Sequence, residues 1–105
     1  EDITAWENLD EIIAVDGIDV FFVAPSDFAA SMGHMGDPQH PEVREKIDDA
    51  ITRIVAAGRN AGSTATSETV AGYVELGVRF FLTGVNPWIG RGYDQFAANA
   101  EAAKK

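Results

Sequence analysis

The sequence predicts an α/β fold built on a parallel sheet, and three observations carry that prediction. Helical and strand-like segments alternate strictly, in the order helix, strand, helix, strand, helix, strand, helix. The clearest strand-like segments, IDVFFVA at 18–24 and VRFFLTGV at 78–85, are nearly continuous apolar runs. Strands covered on both faces look like this, and such strands belong to parallel sheets. Connections are mostly short, which fits right-handed βαβ units.

Each element has a local reason. Residues 3–15 read as a helix because Ile3, Trp6, Leu9, Ile12 and Ile13 recur at helical spacing. Thr4 with Glu7 fits a capping box, and Asp2 is an equally good cap. Asp16-Gly17 ends the helix, and the strand at 18–24 stops at Pro25-Ser26-Asp27. Residues 28–40, FAASMGHMGDPQH, read as a long loop of small residues, a length usually tied to function or mobility. Pro41 suits the first position of a helix over 41–57, with Val43, Ile47, Ile51 and Ile54 on its buried face and Gly58 as its stop. A short strand spans 61–66, and Thr66 or Ser67 caps a helix through Leu76. After the strand at 78–85, residues 86–92 read as a loop and 93–103 as an alanine-rich helix. That helix ends in Lys104-Lys105, which suits the negative pole of the helix dipole.

Composition narrows the function. The 105 residues, about 11.3 kDa, are one domain or part of one. At 46% apolar and 24% charged the chain is globular rather than disordered. Its net charge of −9 argues against nucleic acid and against anionic membranes as partners. With no cysteine it has no disulfides, zinc-thiolate sites or thiol catalysis. No apolar run approaches the roughly 20 residues of a membrane span and nothing resembles a signal peptide, so a soluble cytoplasmic protein is expected.

Three strands make a thin parallel sheet, and the chain opens on a helix with no strand before it. Either this is a small three-stranded α/β layer, or it is the back half of a larger α/β barrel. The pattern fits about three and a half βα units, whereas a complete (β/α)₈ barrel needs about 250 residues.

In α/β folds the working residues gather at the C-terminal ends of the strands. Asp27 lies just beyond the first strand, where it either caps a turn or serves as a ligand. The backbone amides of Ser26 and Asp27 can donate to an anion there. Glu1 precedes the first helix; it is either a solvated end or the matching position on a neighbouring strand. Adjacent strands lie about 4.8 Å apart, so the second alternative brings Glu1 near Asp27. Two close carboxylates repel unless a proton or cation lies between them, and a hard ion such as Mg²⁺ or Mn²⁺ suits that place. His34 and His40 match no zinc motif, and His40 stands where a helix N-cap belongs. Gly90-Arg91-Gly92 is either a turn or a weak phosphate cradle. Trp6 and Trp88 read as packing residues.

Several motifs in order then resemble the HpcH/HpaI aldolase family. They are Asn8-Leu9-Asp10-Glu11-Ile12, Val15-Asp16-Gly17-Ile18-Asp19, Phe22-Val23-Ala24-Pro25-Ser26-Asp27-Phe28, Ala30-Ser31-Met32-Gly33 and His40-Pro41-Glu42-Val43. The likeness continues through Arg53-Ile54, Ala56-Ala57-Gly58, Ala61-Gly62 and Glu75-Leu76-Gly77 to Gly84-Val85, essentially the whole chain. It implies the C-terminal portion of a (β/α)₈ TIM barrel, from the end of the fifth strand onward. It also implies a single partial domain over 1–105, whose last helix, about 93–103, packs on a neighbouring subunit of a hexamer.

The resemblance further implies a class II, metal-dependent pyruvate aldolase acting on 4-hydroxy-2-keto acids, with pyruvate and an aldehyde as its partners in the synthetic direction. Glu1 and Asp27 take the places of the metal ligands, for Mg²⁺ or Mn²⁺, with Co²⁺ a further choice. Ser26 and Asp27 take the places whose backbone amides hold the pyruvyl carboxylate. The assisting histidine and arginine come from the N-terminal half of the barrel, so this chain carries no catalytic residue of its own. Activity then requires that half. Two other readings stay open on the residues alone: a half-barrel without catalysis, and a small α/β binding domain in which Asp27 merely caps a turn.

Five positions depart from the family pattern. Ala24 replaces a glycine, Phe28 a leucine and Asn86 an aspartate. Ser63 and Thr64 stand where relatives present larger apolar side chains to the aldehyde. A roomier or more polar acceptor pocket is therefore expected at Thr64. Thr64→Leu is expected to shift the aldehyde preference; an unchanged preference profile would refute the expectation.

Overall fold

The computed structural model describes residues 1–104. The elements are α1 (Ile3–Glu7), α2 (Leu9–Ile13), β1 (Phe21–Val23), α3 (Pro25–Ser31), α4 (Pro41–Ala56), β2 (Ala61–Thr64), α5 (Val70–Glu75), β3 (Phe80–Leu82) and α6 (Asn86–Ala102). The sheet has the order β1-β2-β3 with both pairs parallel, as the alternation predicted. Phe21, Phe22 and Val23 pair with Ala61, Gly62 and Ser63, and Gly62, Ser63 and Thr64 pair with Phe80, Phe81 and Leu82.

The core lies between the sheet and α4. Val43, Ile47, Ala50, Ile51 and Ile54 are buried along that helix, at the spacing read from the sequence. They meet Phe21, Val23, Ala61, Phe28 and Tyr73. Pro41 occupies the first turn of α4, and Gly58 takes a φ of +73° just after it. That left-handed conformation suits glycine and ends the helix.

The alternate face of the sheet is open. Phe22 is 38% exposed, Phe80 51% and Leu82 59%, although all three are apolar strand residues. The expectation of strands buried on both faces therefore holds for only one face of this segment. Gly62 is enclosed on the open side: a Cβ there would lie 2.8 Å from Val20 and 2.9 Å from Phe22.

Several boundaries differ from the sequence reading. Residues 3–15 form two short helices rather than one, because Asn8 leaves helical geometry and its amide donates to Thr4 O at 2.9 Å. Asp2, not Thr4, caps α1, accepting from Ala5 N at 2.7 Å. Residues 28–31 of the expected 28–40 loop belong to α3, which begins at Pro25 and buries Phe28 and Ala29. The strands at 18–24, 61–66 and 78–85 shrink to three or four residues, the length over which partners exist on the neighbouring strand. Neither Thr66 nor Ser67 caps α5, whose N-cap is Thr69.

The expected 86–92 loop is also helical: α6 runs unbroken from Asn86 and includes Gly90-Arg91-Gly92. Pro87 falls in its first turn, where a missing N–H costs nothing. No residue of α6 is buried. The radius of gyration, 17.6 Å, accordingly exceeds the ~13 Å of a compact chain of this size. Lys104 donates to Glu101 near the end of α6, and Lys105 lies outside the described residues. No helix among the described residues is long and apolar enough to cross a membrane.

Two polar braces fix the N-terminal segment. Trp6 Nε1 donates to Asp49 Oδ2 at 2.9 Å, and Arg53 of α4 bridges Asp10 at 2.8 Å and Asp49 at 3.3 Å. Arg59 donates to the carbonyls of Ile13, Val15 and Ile18, closing the α2–β1 turn. These bonds set where the chain enters β1. Ile51→Ala, at the fully buried centre of α4, is expected to destabilise the fold by about 2–5 kcal/mol. Urea unfolding measures it, and a loss below about 1 kcal/mol contradicts the packing described.

Candidate active site

The C-terminal ends of the three strands open on one side of the sheet. Asp27 sits in the first turn of α3, immediately after β1, and is exposed. Ala24 at the N-cap position makes no side-chain cap, so the first-turn amides of Ser26 and Asp27 keep their donor capacity. The Ile3 amide donates to Ser31 Oγ at 3.1 Å, and Ser31 Oγ donates to Phe28 O at 2.9 Å. The segment that begins with Glu1 is thereby tied to the helix that carries Asp27. Glu1 is exposed and lines a cavity of about 260 Å³ together with Phe22 and Val23 of β1 and Phe28, the residue after Asp27. The carboxylates of Glu1 and Asp27 are each hard oxygen donors, the donor type that Mg²⁺ and Mn²⁺ take.

A second cavity, about 490 Å³, lies over the ends of β2 and β3. Ser26 and Thr64 line it. The two cavities are distinct: Glu1 lines only the first, Ser26 and Thr64 only the second, and Asp27 lines neither. Gln39, Thr66, Thr69 and Thr83 add polar groups to the larger one. Tyr73 forms part of its wall, and its hydroxyl accepts from Arg44 Nη1 at 2.7 Å while Arg44 pairs with Asp48 at 2.6 Å. Of the residues lining this cavity, the sequence reading named Ser26 and Thr64 as candidate site residues. The run Ser63-Thr64-Ala65-Thr66-Ser67-Glu68-Thr69 was the available signal, five hydroxyls at the end of β2 and just beyond it.

The turn after β2 is held by its own side chains. Thr69 Oγ1 accepts from Thr66 N at 2.9 Å, and Thr66 Oγ1 accepts from Glu68 N at 3.3 Å. The Glu68 carboxyl is held below its ordinary range, chiefly by the Thr66 hydroxyl, then by its own backbone N–H and by Arg91. Arg91 reaches it at 3.7 Å from within α6. A phosphate cradle at Gly90-Arg91-Gly92 is therefore not formed: the segment is helical and Arg91 faces the β2–α5 turn.

His34, His40 and Glu42 place their ligand atoms within 4.8 Å of one another. His40 Nδ1 accepts from Glu42 N at 3.3 Å and so caps α4, as its position in the sequence suggested. The two imidazoles are stacked, with centroids 3.6 Å apart and planes 17° apart. Ring lone pairs lie in the ring plane, so nearly parallel rings do not converge on one ion. The pair is a loop clasp, closed by His34 Nε2 against Glu42 at 3.2 Å.

The family model described as HpcH/HpaI aldolase/citrate lyase matches residues 1–99. This chain belongs to the HpcH/HpaI family. A hydroxypyruvate/pyruvate aldolase of Cupriavidus necator is 48% identical over 87 residues, which are 82% of this chain and 32% of that protein. A 4-hydroxy-2-oxo-heptane-1,7-dioate aldolase of Salmonella typhi is 45% identical over 103 residues, 96% of this chain and 39% of that one. The chain thus spans about a third of the length of these curated relatives. An HpcH/HpaI aldolase/citrate lyase family protein of Burkholderia cenocepacia superposes with a TM-score of 0.88 at 29% identity, covering 96% of this chain and 40% of that one.

The chain is therefore the C-terminal portion of a TIM barrel, and the small three-stranded layer is set aside. In an HpcH/HpaI barrel the open face with Phe22, Phe80 and Leu82 is the interior, and Asp27 and Thr64 lie at the C-terminal rim of the strands. Because the folded pKa of Glu68 is depressed, its stabilising contribution is complete above the unfolded pKa and is lost as pH falls through the folded value. Thr66→Val is expected to raise the Glu68 midpoint towards its ordinary value in a carboxyl-carbon NMR titration. An unmoved midpoint removes the Thr66 hydroxyl as the cause.

Proposed function

We propose that this chain supplies the metal-holding carboxylates and part of the substrate pocket of a class II pyruvate aldolase. That enzyme adds C3 of pyruvate to aldehydes and cleaves 4-hydroxy-2-keto acids. Membership of the HpcH/HpaI family is the observation that carries the reading, and two similar proteins are named as aldolases of keto acids.

Glu1 and Asp27 are the proposed ligands of the ion, Mg²⁺ or Mn²⁺, with Co²⁺ a third candidate. The tether between the Glu1 segment and α3, and the hard oxygen chemistry of both side chains, support this. When bound, the ion supplies Lewis-acid polarisation of the substrate's keto carbonyl. The open first-turn amides of Ser26 and Asp27 receive the substrate carboxylate, where the helix end favours negative charge. Thr64 borders the aldehyde portion. In cleavage the C3–C4 bond breaks, the 4-hydroxyl loses its proton as C4 becomes the aldehyde, and C3 takes a proton to become the methyl of pyruvate. The histidine and arginine that assist come from the N-terminal half of the barrel, so activity belongs to the assembled protein.

The assembled protein is proposed to be a hexamer in which α6 docks on a neighbouring subunit. Ile89, Tyr93 and Phe96 recur on one side of α6 and are among the most exposed apolar residues of the chain.

In the complete barrel, Asp27→Asn and Glu1→Gln are each expected to weaken Mn²⁺ binding by more than about 100-fold, beyond what loss of an outer-shell partner costs. They are also expected to abolish keto-acid cleavage. Mn²⁺ titration followed by electron paramagnetic resonance is the check. Unchanged Mn²⁺ affinity in both variants overturns the ligand assignment.

A further inference from the structure

We infer that His34 and His40 form a proton-sensitive clasp, which holds Pro38 and Gln39 in the wall of the larger cavity only while His40 is neutral. That this cavity takes part of a keto acid rests on the aldolase reading; the clasp itself rests on the loop. Residues 32–40 join α3 to α4 and turn at Gly33 and Gly36, whose φ values are +83° and +82°. Glycine reaches that region without a side-chain penalty, so the loop has two ready hinge points. Met35 between them is 84% exposed. A short run of bonds shapes the rest: His34 N donates to Ala29 O at 2.8 Å, Asp37 N to His34 O at 2.9 Å and His40 N to Asp37 O at 3.2 Å. The stacked imidazoles, 3.6 Å apart, then close residues 35–39 into a small ring of chain, and Pro38 and Gln39 lie on it.

Glu42 touches both rings and fixes their protons. Its N–H donates to His40 Nδ1 at 3.3 Å, so that nitrogen is bare and the ring proton is on Nε2. Its carboxylate meets His34 Nε2 at 3.2 Å, so that nitrogen carries a proton. A proton added to His34 goes to Nδ1 and leaves the contacts whole: the imidazolium still faces the carboxylate and lies over a neutral ring. A proton added to His40 must go to its own Nδ1, the one bare nitrogen. It removes the acceptor of the Glu42 N–H. It sets a positive ring 3.6 Å from an imidazole that is itself charged in acid. It also places a cation at the positive pole of α4, a helix of 16 residues. All three effects oppose closure. The open loop binds a proton that the closed loop excludes, so closure strengthens as pH rises and fails as pH falls through the imidazole range, about pH 8 to 5.

The other charges on the elements packed against the pair are these. α3, which His34 meets through Ala29 O, carries Asp27, exposed in its first turn. The loop carries Asp37, exposed and bonded through its backbone to both histidines. Beside Glu42, the start of α4 carries Arg44, Glu45 and Lys46. Arg44 is engaged by Tyr73 at 2.7 Å and Asp48 at 2.6 Å, Lys46 lies 3.8 Å over the Trp6 ring, and Glu45 is exposed. Glu42 is therefore the carboxylate in contact with the clasp, and it serves the two rings through different atoms.

The test uses the complete barrel. Amide hydrogen exchange over residues 33–42, corrected for the intrinsic rate, is read by mass spectrometry at about pH 7.5 and about pH 5. Protection is expected to fall by at least about 10-fold in acid. His40→Asn keeps a side-chain oxygen for the Glu42 N–H at either pH and is expected to lose less than about 2-fold. His34→Phe keeps a ring in the stack without its charge, and its loss is expected to lie between the two. With Mn²⁺ saturating, the KM for cleavage of 4-hydroxy-2-oxopentanoate is expected to rise by at least about 5-fold over the same range in the wild type. In His40→Asn the KM stays level while kcat follows the wild-type pH dependence. Equal protection at both pH values overturns the clasp, and so does a loss as large in both variants as in the wild type. A KM that responds to pH alike in wild type and His40→Asn overturns its hold on the pocket. Protection that falls in acid as expected, without cleavage at either pH, overturns the aldolase reading and leaves the clasp standing.

Discussion

Val43, Ile47, Ala50, Ile51 and Ile54 lie along one face of α4 and are buried against β1 and β2. Everything else in the segment hangs from that contact. It fixes the height of α4 above the strands, and through Trp6, Asp49 and Arg53 it fixes α1 as well. It also fixes α5, because Arg44 on the flank of α4 holds the Tyr73 hydroxyl. Burial of five apolar side chains supplies the stabilisation, and the few charged bonds at its edge direct where neighbours attach.

The same arrangement divides the sheet into a face that holds and a face that waits. Phe21, Val23, Ala61 and Ser63 point towards the helices and are buried. Phe22, Phe80 and Leu82 point the other way and stay exposed. Within an HpcH/HpaI barrel that second face is the interior, so its apolar character answers to strands that lie elsewhere in the barrel. Ser63 shows how tightly the covered face is set: its buried hydroxyl donates to Val23 O at 3.0 Å, across to the neighbouring strand.

Short-range polar bonds organise the rim. Ser31 joins the N-terminal segment to α3, Thr66 and Thr69 shape the β2–α5 turn, and His40 caps α4. None of these is worth much alone, yet together they place the candidate ligand Asp27 and the hydroxyl-lined cavity at the same end of the sheet.

The sequence by itself determined the alternation of elements, the parallel order of the strands, the buried face of α4 and the caps at Pro41 and Gly58, because these follow from periodicity and from residue chemistry that acts within a few positions. Motif order likewise sufficed to mark Glu1 and Asp27 as candidates. It did not determine where strands end, since a strand lasts only as long as a partner lies beside it. Nor did it show that residues 25–31 and 86–92 are helical: small residues and glycines read as loop until Phe28 finds the core and Pro87 falls in a first turn. Only the tertiary structure decided that Thr64, Thr83, Gln39 and Ser26 share one cavity. They come from four separate segments, and no local pattern records which loops the sheet brings together.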